Sequence, residues 1–575
     1  MSTAWAEDPA GVPWPKRVQA GLGNLFPVPP GPRPAPGRSA VLGAVVQLGS
    51  VAAGAAVLLE RVPGRPPWDT LYGEDFWEFL LQAVQRPWHL FIPYHGYEQL
   101  VPRVIAQVAL YLPLAWASWL FAVAGAVIAA ACGLFVYHAI AGHVRSTAFR
   151  VLLGAAVVLL PIAPMEIADS GVNTVWYLLI GVFWALLWRP RARGGRAVAA
   201  LVAFAAAASN GVVIMLAPLV ALRLFVLRRP LDHVVSAAWL AGCLLQAPAI
   251  VSSGLSGQSR LDSAPAAPHQ ALAFYAHDVV LPSLGWHLAW GLRNLAGKND
   301  ATAIVGLLLV VVFGAVLLTQ ARNRPFLITA LATGFVLPVI GVTVTPWLAA
   351  ERVFPDIEPG ARYTALPIFL LECAAVVAAD HPWHRRAAAP GRPRAVPGAV
   401  IAAAVLVAVF GANWAADFRY PGYRSERAWA WSPVAAQWQR GCARSGSGMV
   451  REWIPVPGDF QELPCASMRF QRPWPAEPGP GPRSRARMSR RQMSTVQPSS
   501  RSIRSGGPKA RSAARNWAFP APGSVSRKSA VPADGSYHVV LTSQPAGRLT
   551  VPFPTAAVRT FTRFPESTVT ILASQ

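Results

Sequence analysis

Residues 104–142 read VIAQVALYLPLAWASWLFAVAGAVIAAACGLFVYHAIAG and contain no Lys, Arg, Asp or Glu. A helix needs roughly 20 apolar residues to cross the hydrocarbon core of a bilayer, so this stretch exceeds one crossing. Pro113 interrupts it, and proline breaks the backbone hydrogen-bond ladder of a helix. We therefore predict a short interfacial helix before Pro113 and one long membrane-spanning helix after it.

Comparable apolar blocks recur through most of the chain before residue 414, and Glu372 is the one charged residue inside them. The other blocks are Val41–Leu59, Val151–Met165, Ser170–Trp188, Ala197–Leu222, Val234–Val251, Ala301–Gln320, Phe326–Pro346, Tyr363–Ala379 and Ala399–Asn413. Hydrophobic residues make up 53% of the sequence, charged residues make up 14%, and the mean hydropathy is +0.36. These features predict an all-α fold, a polytopic transmembrane helical bundle, and exclude an ordinary soluble protein.

The distribution of arginine decides the number of spans. Ala197–Leu227 can be read as one helix or as two short helices broken at Ser209–Gly211. Only the second interpretation places the arginines at positions 223–229, 322–324 and 385–394 on the cytoplasmic side, as the positive-inside rule requires. It predicts about eleven spans in the cell membrane, with a cytoplasmic N-terminus and an extracytoplasmic C-terminus. The break also indicates an outer cavity, because freed backbone groups are tolerated in a membrane only beside protein or water.

Four regions follow from this topology. We predict a cytoplasmic Pro-rich N-terminus over residues 1–38, without a cleavable signal peptide, and a transmembrane domain over 39–413 with an outer loop at 60–113. A small extracytoplasmic cap follows over 414–466, and a basic, disordered tail covers 467–575.

The net charge of +24 does not indicate nucleic-acid binding. Residues 467–575 hold 17 Lys and Arg residues against 3 Asp and Glu residues, and most other arginines lie in short loops. No zinc-finger, helix-turn-helix or RNA-binding signature accompanies the charge. The expected partner is membrane lipid, and nucleic acid is excluded.

Acidic residues in the first outer loop are the first candidates for chemistry. Glu74 and Asp75 follow the exit of the first span, among aromatic residues that suit a membrane interface. An interfacial helix with carboxylates facing water would look the same. Alternatively, either carboxylate could act as a general base on a hydroxyl or hold a divalent cation.

Polar side chains at other span ends add binding candidates. Arg352 and Arg362 could bind phosphate through the planar guanidinium fork, or could pair with a lipid head group or with Asp356. Asn173 and Trp176 share one helix face, as in a carbohydrate-binding pair or a pair of interfacial anchors.

Several other kinds of site are absent from the sequence. It contains no HExxH, CxxC, Walker A or dinucleotide fingerprint, so zinc, ATP and NAD chemistry are not expected. No cofactor is indicated beyond the open question of a divalent cation. Cys442 and Cys465 lie in the predicted outer cap, where oxidation is possible, and we predict a disulfide between them.

Three short motifs resemble the C-type superfamily of integral membrane glycosyltransferases, and bacterial members in particular. They are the acidic loop Tyr72-Gly-Glu74-Asp75-Phe76, the segment Tyr94-His-Gly-Tyr97-Glu-Gln-Leu-Val-Pro-Arg103, and Gly360-Ala-Arg362-Tyr363-x-x-x-Pro367. The resemblance covers roughly residues 40–465. Many members have Asp-x-Asp or a single Asp where this chain has Glu74-Asp75, so metal dependence stays open.

The resemblance implies transfer of a sugar from a polyprenyl-phosphate donor to an extracytoplasmic acceptor. Asp75 or Glu74 would then be the catalytic base, and Arg362, with Arg103 or Arg352, would stabilise the departing phosphate. Further substrate contacts are implied for His95, Tyr97, Asn173, Trp176 and Tyr363. The alternatives are a transporter or flippase of a lipid-linked or small polar substrate, and a non-catalytic membrane protein.

Overall fold

The structure is a computed structural model of the chain. It describes residues 21–29, 37–94, 96–255, 268–283, 308, 311, 314–315, 323–344, 361–387, 397–419, 430–445, 448–454, 459–465, 548–551 and 559–562. His95, Arg352 and most of the predicted span Ala301–Gln320 lie outside these residues, as do residues 1–20 and 30–36 of the predicted N-terminal region and nearly all of the tail.

Helices dominate the described residues. In chain order they are α1 Gly37–Leu59, α2 Leu81–Gln85, α3 Leu100–Ala109, α4 Ala117–Ala139, α5 Thr147–Val158, α6 Thr174–Leu187, α7 Arg193–Ala207, α8 Ala217–Val226, α9 Val234–Leu255, α10 Pro268–Phe274, α11 Leu281–Ser283, α12 Arg324–Val344, α13 Ala365–Ala387, α14 Pro397–Ala416 and α15 Trp431–Ser445. Wider π-helical turns occur at Asp75–Leu80, Ala163–Ile167 and Tyr275–Val280.

The centre of the bundle is α6, whose residues are all buried. It packs against α4, α7 and α13, and α1 and α5 pack on the outside of α4. A helix that is apolar all round, like α6, suits this fully enclosed position.

Among the described residues, four helical stretches are long and apolar enough to cross a membrane: Val41–Leu59, Leu114–Gly142, Val234–Ser252 and Arg362–Asp380. Shorter apolar helices coincide with several other predicted spans, among them Thr147–Val158, Thr174–Leu187 and Arg324–Ile340. The apolar helical bundle is thereby confirmed, whereas the count of eleven spans is not established.

The two predicted helix breaks are present. Helix α3 ends at Ala109, and a 3-10 turn begins at Leu114, directly after Pro113. Helix α7 ends at Ala207, and the side chain of Asn210 accepts a hydrogen bond from the backbone N–H of Val212 to begin the next turn. This capping satisfies one of the backbone donors that a new helix leaves without an intrahelical partner.

Segments that the sequence predicts to be extracytoplasmic contact one another at one end of the bundle. We call this end, which includes the loop 60–113 and the break Ser209–Gly211, the site face. The backbone N–H of Val101 donates to the Ser209 hydroxyl, so the first loop meets the α7–α8 break. The buried Arg61 guanidinium donates to the carbonyls of Val158 and Leu160 and also reaches the end of α14. Such contacts require these loops to share a side.

A second set of contacts includes one between the loop after α4 and Asp380 of α13. The Asp380 carboxylate accepts hydrogen bonds from the backbone N–H groups of Arg145 and Ser146. Arg189, after α6, pairs with Asp232, before α9, at 2.9 Å. The loops predicted to be cytoplasmic are thus paired among themselves.

A small unit after α14 packs on the first loop. It consists of α15 and the antiparallel hairpin β1 Met449–Ile454 with β2 Asp459–Pro464. The Trp431 indole donates to the carbonyl of Leu114, and the backbone N–H of Ser432 donates to Asp69. This hairpin is an exception to the predicted all-α fold.

The predicted tail contains a second exception. Within residues 480–575, β3 Arg548–Val551 pairs antiparallel with β4 Arg559–Thr562. Val, Thr and Phe in these two strands favour the pleated conformation, and the rest of the predicted tail lies outside the described residues.

Candidate functional site

The centre of the candidate site is a cluster of two carboxylates around one guanidinium, Glu74, Glu166 and Arg362, on the site face. Nη1 of Arg362 lies 3.2 Å from Oε1 of Glu166 and 3.8 Å from Oε1 of Glu74. The backbone N–H of Arg362 also donates to Oε2 of Glu166 at 3.0 Å. We call these three residues the acid–arginine cluster.

Each member of the cluster comes from an irregular turn. Glu74 directly precedes the π turn Asp75–Leu80, and Glu166 lies within the π turn Ala163–Ile167. Arg362 lies in the turn Ala361–Thr364, which packs against Ala163–Ile167 and against Tyr275–Val280. Single π-helical turns are frequent at functional sites, since they redirect side chains that a regular helix would point elsewhere.

Asp75 is held by the loop that carries Glu166. Its carboxylate accepts hydrogen bonds from the Ser170 hydroxyl at 3.0 Å, from the Gly171 N–H at 3.0 Å and from the Val172 N–H at 2.7 Å. The side chain is 0% exposed. Asp75 is thus buried and engaged as a hydrogen-bond acceptor of this loop, and its role as a base stays a prediction.

Unlike the adjacent Asp75, Glu74 is partly exposed, with its side chain 15% exposed. Burial raises the pKa of Glu74 above the ordinary value for glutamate, and Arg362 and a hydrogen bond from Tyr72 partly oppose that rise. A carboxylate with a raised pKa is a better proton acceptor at neutral pH than an ordinary one. Burial, followed by the negative charge of Glu74, also raises the pKa of Tyr94.

Asn173 and Trp176 are both buried beneath the acid–arginine cluster. Asn173 donates to the backbone carbonyl of Glu166 at 2.9 Å and is fully buried. Trp176 is 4% exposed and packs edge-on against Tyr363, with ring centroids 4.8 Å apart. The expected sugar-stacking face of Trp176 is therefore covered, and Asn173 supports the loop that presents Glu166.

Arg103 is also buried. Its guanidinium donates to the carbonyl of Ile92 at 2.9 Å and to the Gln82 side chain at 3.0 Å, and it lies over the ring of Phe79. These contacts hold the segment that leads to Tyr97. The phosphate contact of Arg103 stays a prediction.

Tyr97 lies at the junction between the first loop and the helix break. Its side chain packs beside Gly211, where an added Cβ would lie 3.3 Å from the Cβ of Tyr97. The neighbouring Glu98 backbone exchanges two hydrogen bonds with the buried Gln246 side chain of α9. Tyr97 thus packs directly against the break at Ser209–Gly211, where the sequence predicts an outer cavity.

The structure brings together Glu74, Arg362 and Tyr363 among the residues selected from sequence, and adds Glu166 and Tyr72. Glu166 lies in a short loop between two predicted spans. A carboxylate so close to two apolar segments is the sequence feature that could have identified Glu166 as a site residue. Within the described part of the chain, no group of three His, Cys, Asp or Glu residues is placed to hold a metal ion. The question of a divalent cation is left open.

The sulfur atoms of Cys442 and Cys465 form a disulfide, which confirms that prediction. It links α15 to the residue after β2, so the helix and hairpin form one cross-linked unit.

No protein-family model, curated protein or solved structure matches this chain.

Proposed function

We propose that this chain is an integral membrane glycosyltransferase that transfers a sugar from a polyprenyl-phosphate donor to an extracytoplasmic acceptor. The single observation that carries the proposal is the position of Arg362 at 3.8 Å from the partly exposed carboxylate of Glu74. A phosphate-binding cation and a candidate base thus lie side by side at one end of an apolar helical bundle.

The position of Arg362 suits a lipid-linked phosphate. It begins the apolar stretch Arg362–Asp380, so a polar group bound there would lie at the end of a candidate span. A prenyl chain could then extend along apolar helices while its phosphate meets the guanidinium. The planar guanidinium matches phosphate oxygens and keeps its charge at any physiological pH.

The proposed reaction uses one proton acceptor and one anion stabiliser. The acceptor hydroxyl oxygen forms a bond to the anomeric carbon, and its proton moves to the Glu74 carboxylate. The bond between the anomeric carbon and the phosphate oxygen breaks, and its electron pair leaves with the polyprenyl phosphate. Arg362 stabilises the charge that develops on that oxygen. Asp75 and Asn173 position the loops rather than contact substrate.

The proposal includes the topology. The site face would be extracytoplasmic in a bundle of eleven spans, with the N-terminus cytoplasmic. The contacts of Arg61 and Ser209 support it, since they join loops that this topology places together.

Transfer by the full-length protein in proteoliposomes tests this function. The assay supplies a panel of radiolabelled polyprenyl-phosphate sugars with sugar acceptors and measures labelled product. We expect product with the wild type and a loss of at least about 100-fold with Glu74→Gln, because general-base catalysis contributes about 10²–10⁴-fold. The matched control is Glu60→Gln, since Glu60 is 58% exposed and pairs with Arg419 away from the cluster. Equal activity of Glu74→Gln and wild type would refute the role of Glu74.

A transporter is the second candidate, and Glu372 favours it. This residue lies within α13, is 5% exposed, and its Oε2 has no hydrogen-bond partner among the described residues. Ionisable groups within a span are costly and are usually functional. Gradient-driven uptake by proteoliposomes that is lost in Glu372→Gln, without any sugar transfer, would favour this candidate.

A further inference from the structure

The two carboxylates around Arg362 hold it unequally. Glu166 forms an ion pair with the Arg362 guanidinium at 3.2 Å and accepts a hydrogen bond from the backbone N–H of Arg362 at 3.0 Å, and its side chain is 1% exposed. Glu74 makes one contact at 3.8 Å, beyond ordinary hydrogen-bond length, and its side chain is 15% exposed. Glu166 is therefore the fixed partner, and Glu74 is the partner at the open edge.

The loop that carries Glu166 is fixed from several directions. Asn173 donates to the carbonyl of Glu166 itself, and Asp75 accepts from the next turn of the loop at Gly171 and Val172. At Gly125 of α4, an added Cβ would lie only 2.8 Å from the carbonyl oxygen of Ser170, so this loop also lies directly on a helix. Movement of Glu166 away from Arg362 would disrupt these contacts.

The Glu74 carboxylate is held less firmly than that of Glu166: it accepts a hydrogen bond from Tyr72 and faces Arg362. Its ion pair with Arg362 is long, and burial already disfavours its charged form. The cluster also contains one more acidic group than basic groups. An incoming anion would compete with the more distant Glu74 for Nη1 of Arg362, and repulsion between the two like charges would move Glu74 away.

We propose that Arg362 is an exchangeable anion site, at which the phosphate group of a ligand displaces Glu74 while Glu166 stays bound. This inference deepens the proposed function, on which its assignment of a lipid-linked phosphate rests. Displacement releases the Glu74 carboxylate from its ion pair and leaves it next to the bound phosphate, where an acceptor hydroxyl would approach. Glu166 is then a positioning residue that holds the guanidinium fork in place.

Equilibrium binding to the full-length protein in nanodiscs tests the exchange without requiring catalysis. The two probes are farnesyl phosphate and inorganic phosphate, which share the phosphate chemistry but differ in the lipid chain. The proteins are the wild type, Glu74→Gln, Glu166→Gln and the control Glu60→Gln, each checked for a monodisperse elution profile.

We expect Glu74→Gln to bind the phosphate probe about tenfold more tightly than the wild type, because the competing carboxylate charge is gone. Glu166→Gln should bind more weakly than the wild type, since an amide cannot accept both N–H groups in the same geometry and Arg362 loses its position. Glu60→Gln should bind like the wild type. Glu74→Gln decides the matter alone if Glu166→Gln does not fold.

Much tighter binding of farnesyl phosphate than of inorganic phosphate would support the site and identify a lipid-linked ligand. Equal binding of both, still tighter in Glu74→Gln, would support the anion site and identify free phosphate as sufficient. Unchanged affinity in Glu74→Gln, or equal tightening in Glu74→Gln and Glu166→Gln, would overturn the proposal. Tighter binding in Glu74→Gln without any sugar transfer by the wild type would instead count against the glycosyltransferase function alone.

Discussion

Replacement of Asp75 by asparagine should destabilise the protein, because three buried hydrogen bonds converge on this carboxylate. They come from the Ser170 hydroxyl and the N–H groups of Gly171 and Val172, at 3.0, 3.0 and 2.7 Å. A hydrogen bond to an ionised group contributes about 1.5–3 kcal/mol. The asparagine amide keeps only one acceptor oxygen and turns its NH₂ group toward one of the donors in the 170–172 loop. At least one hydrogen bond to the carboxylate is therefore lost. We expect Asp75→Asn to lower the free energy of unfolding by about 2–4 kcal/mol, within the usual range for broken buried networks.

Unfolding in mixed micelles of a nonionic detergent and dodecyl sulfate, followed by tryptophan fluorescence, measures this difference. Glu60→Gln is the matched control, because its ion pair with Arg419 is 58% exposed on both sides and should contribute less than about 1 kcal/mol. A loss for Asp75→Asn no larger than that of the control would refute the role of Asp75 in fixing the 170–172 loop. So would full stability combined with abolished transfer, which is the result expected of an exposed catalytic base.

Four further predictions follow from the structure. If Glu74 is the base, the rate of sugar transfer should rise with pH through a midpoint above the ordinary glutamate pKa. Burial raises the pKa of Glu74, and only its ionised form accepts a proton. A pH-rate profile measures this midpoint. Because its pKa is raised in the folded state, Glu74 stabilises that state at low pH, and this stabilisation is lost as pH rises through the folded-state pKa. Glu74→Gln should remove this pH dependence of the free energy of unfolding. Gly125→Ala should lower the free energy of unfolding by about 1–3 kcal/mol, since the added Cβ would lie 2.8 Å from the Ser170 carbonyl oxygen. A smaller loss of stability than in a lipid-facing Gly→Ala control would contradict this contact. Cys442→Ser should remove the Cys465 cross-link, change mobility on non-reducing gels and cost about 3 kcal/mol, whereas unchanged mobility would exclude the disulfide.

Several features of the fold could be predicted from the sequence because they depend on local chemistry. Pro113 and the Ser209–Gly211 segment interrupt helices by removing or redirecting backbone hydrogen bonds, and both breaks occur in the structure. The burial of α6 follows from a run of apolar residues with no polar face. The number of spans depends on helix lengths and on segments such as Ala301–Gln320, which lies mostly outside the described residues.

The candidate site was only partly predictable, because its geometry comes from distant segments. Arg362 was identified by its charge at a span end, but its principal partner, Glu166, is 196 residues away in sequence. Glu74 and Asp75 are adjacent in sequence, and only the fold separates a partly exposed carboxylate from a fully buried one. For the same reason, Arg103 and Asn173 read as binding residues in the sequence and prove to be buried supports.

A structure of the protein in nanodiscs with a non-transferable polyprenyl-phosphate sugar analogue, determined by electron cryo-microscopy, tests the central claim most directly. The account predicts that the analogue's phosphate lies within hydrogen-bond distance of Arg362, about 3 Å, with Glu166 still bound and Glu74 moved off the guanidinium toward the sugar. A phosphate bound elsewhere, with Glu74 still beside Arg362, would contradict it.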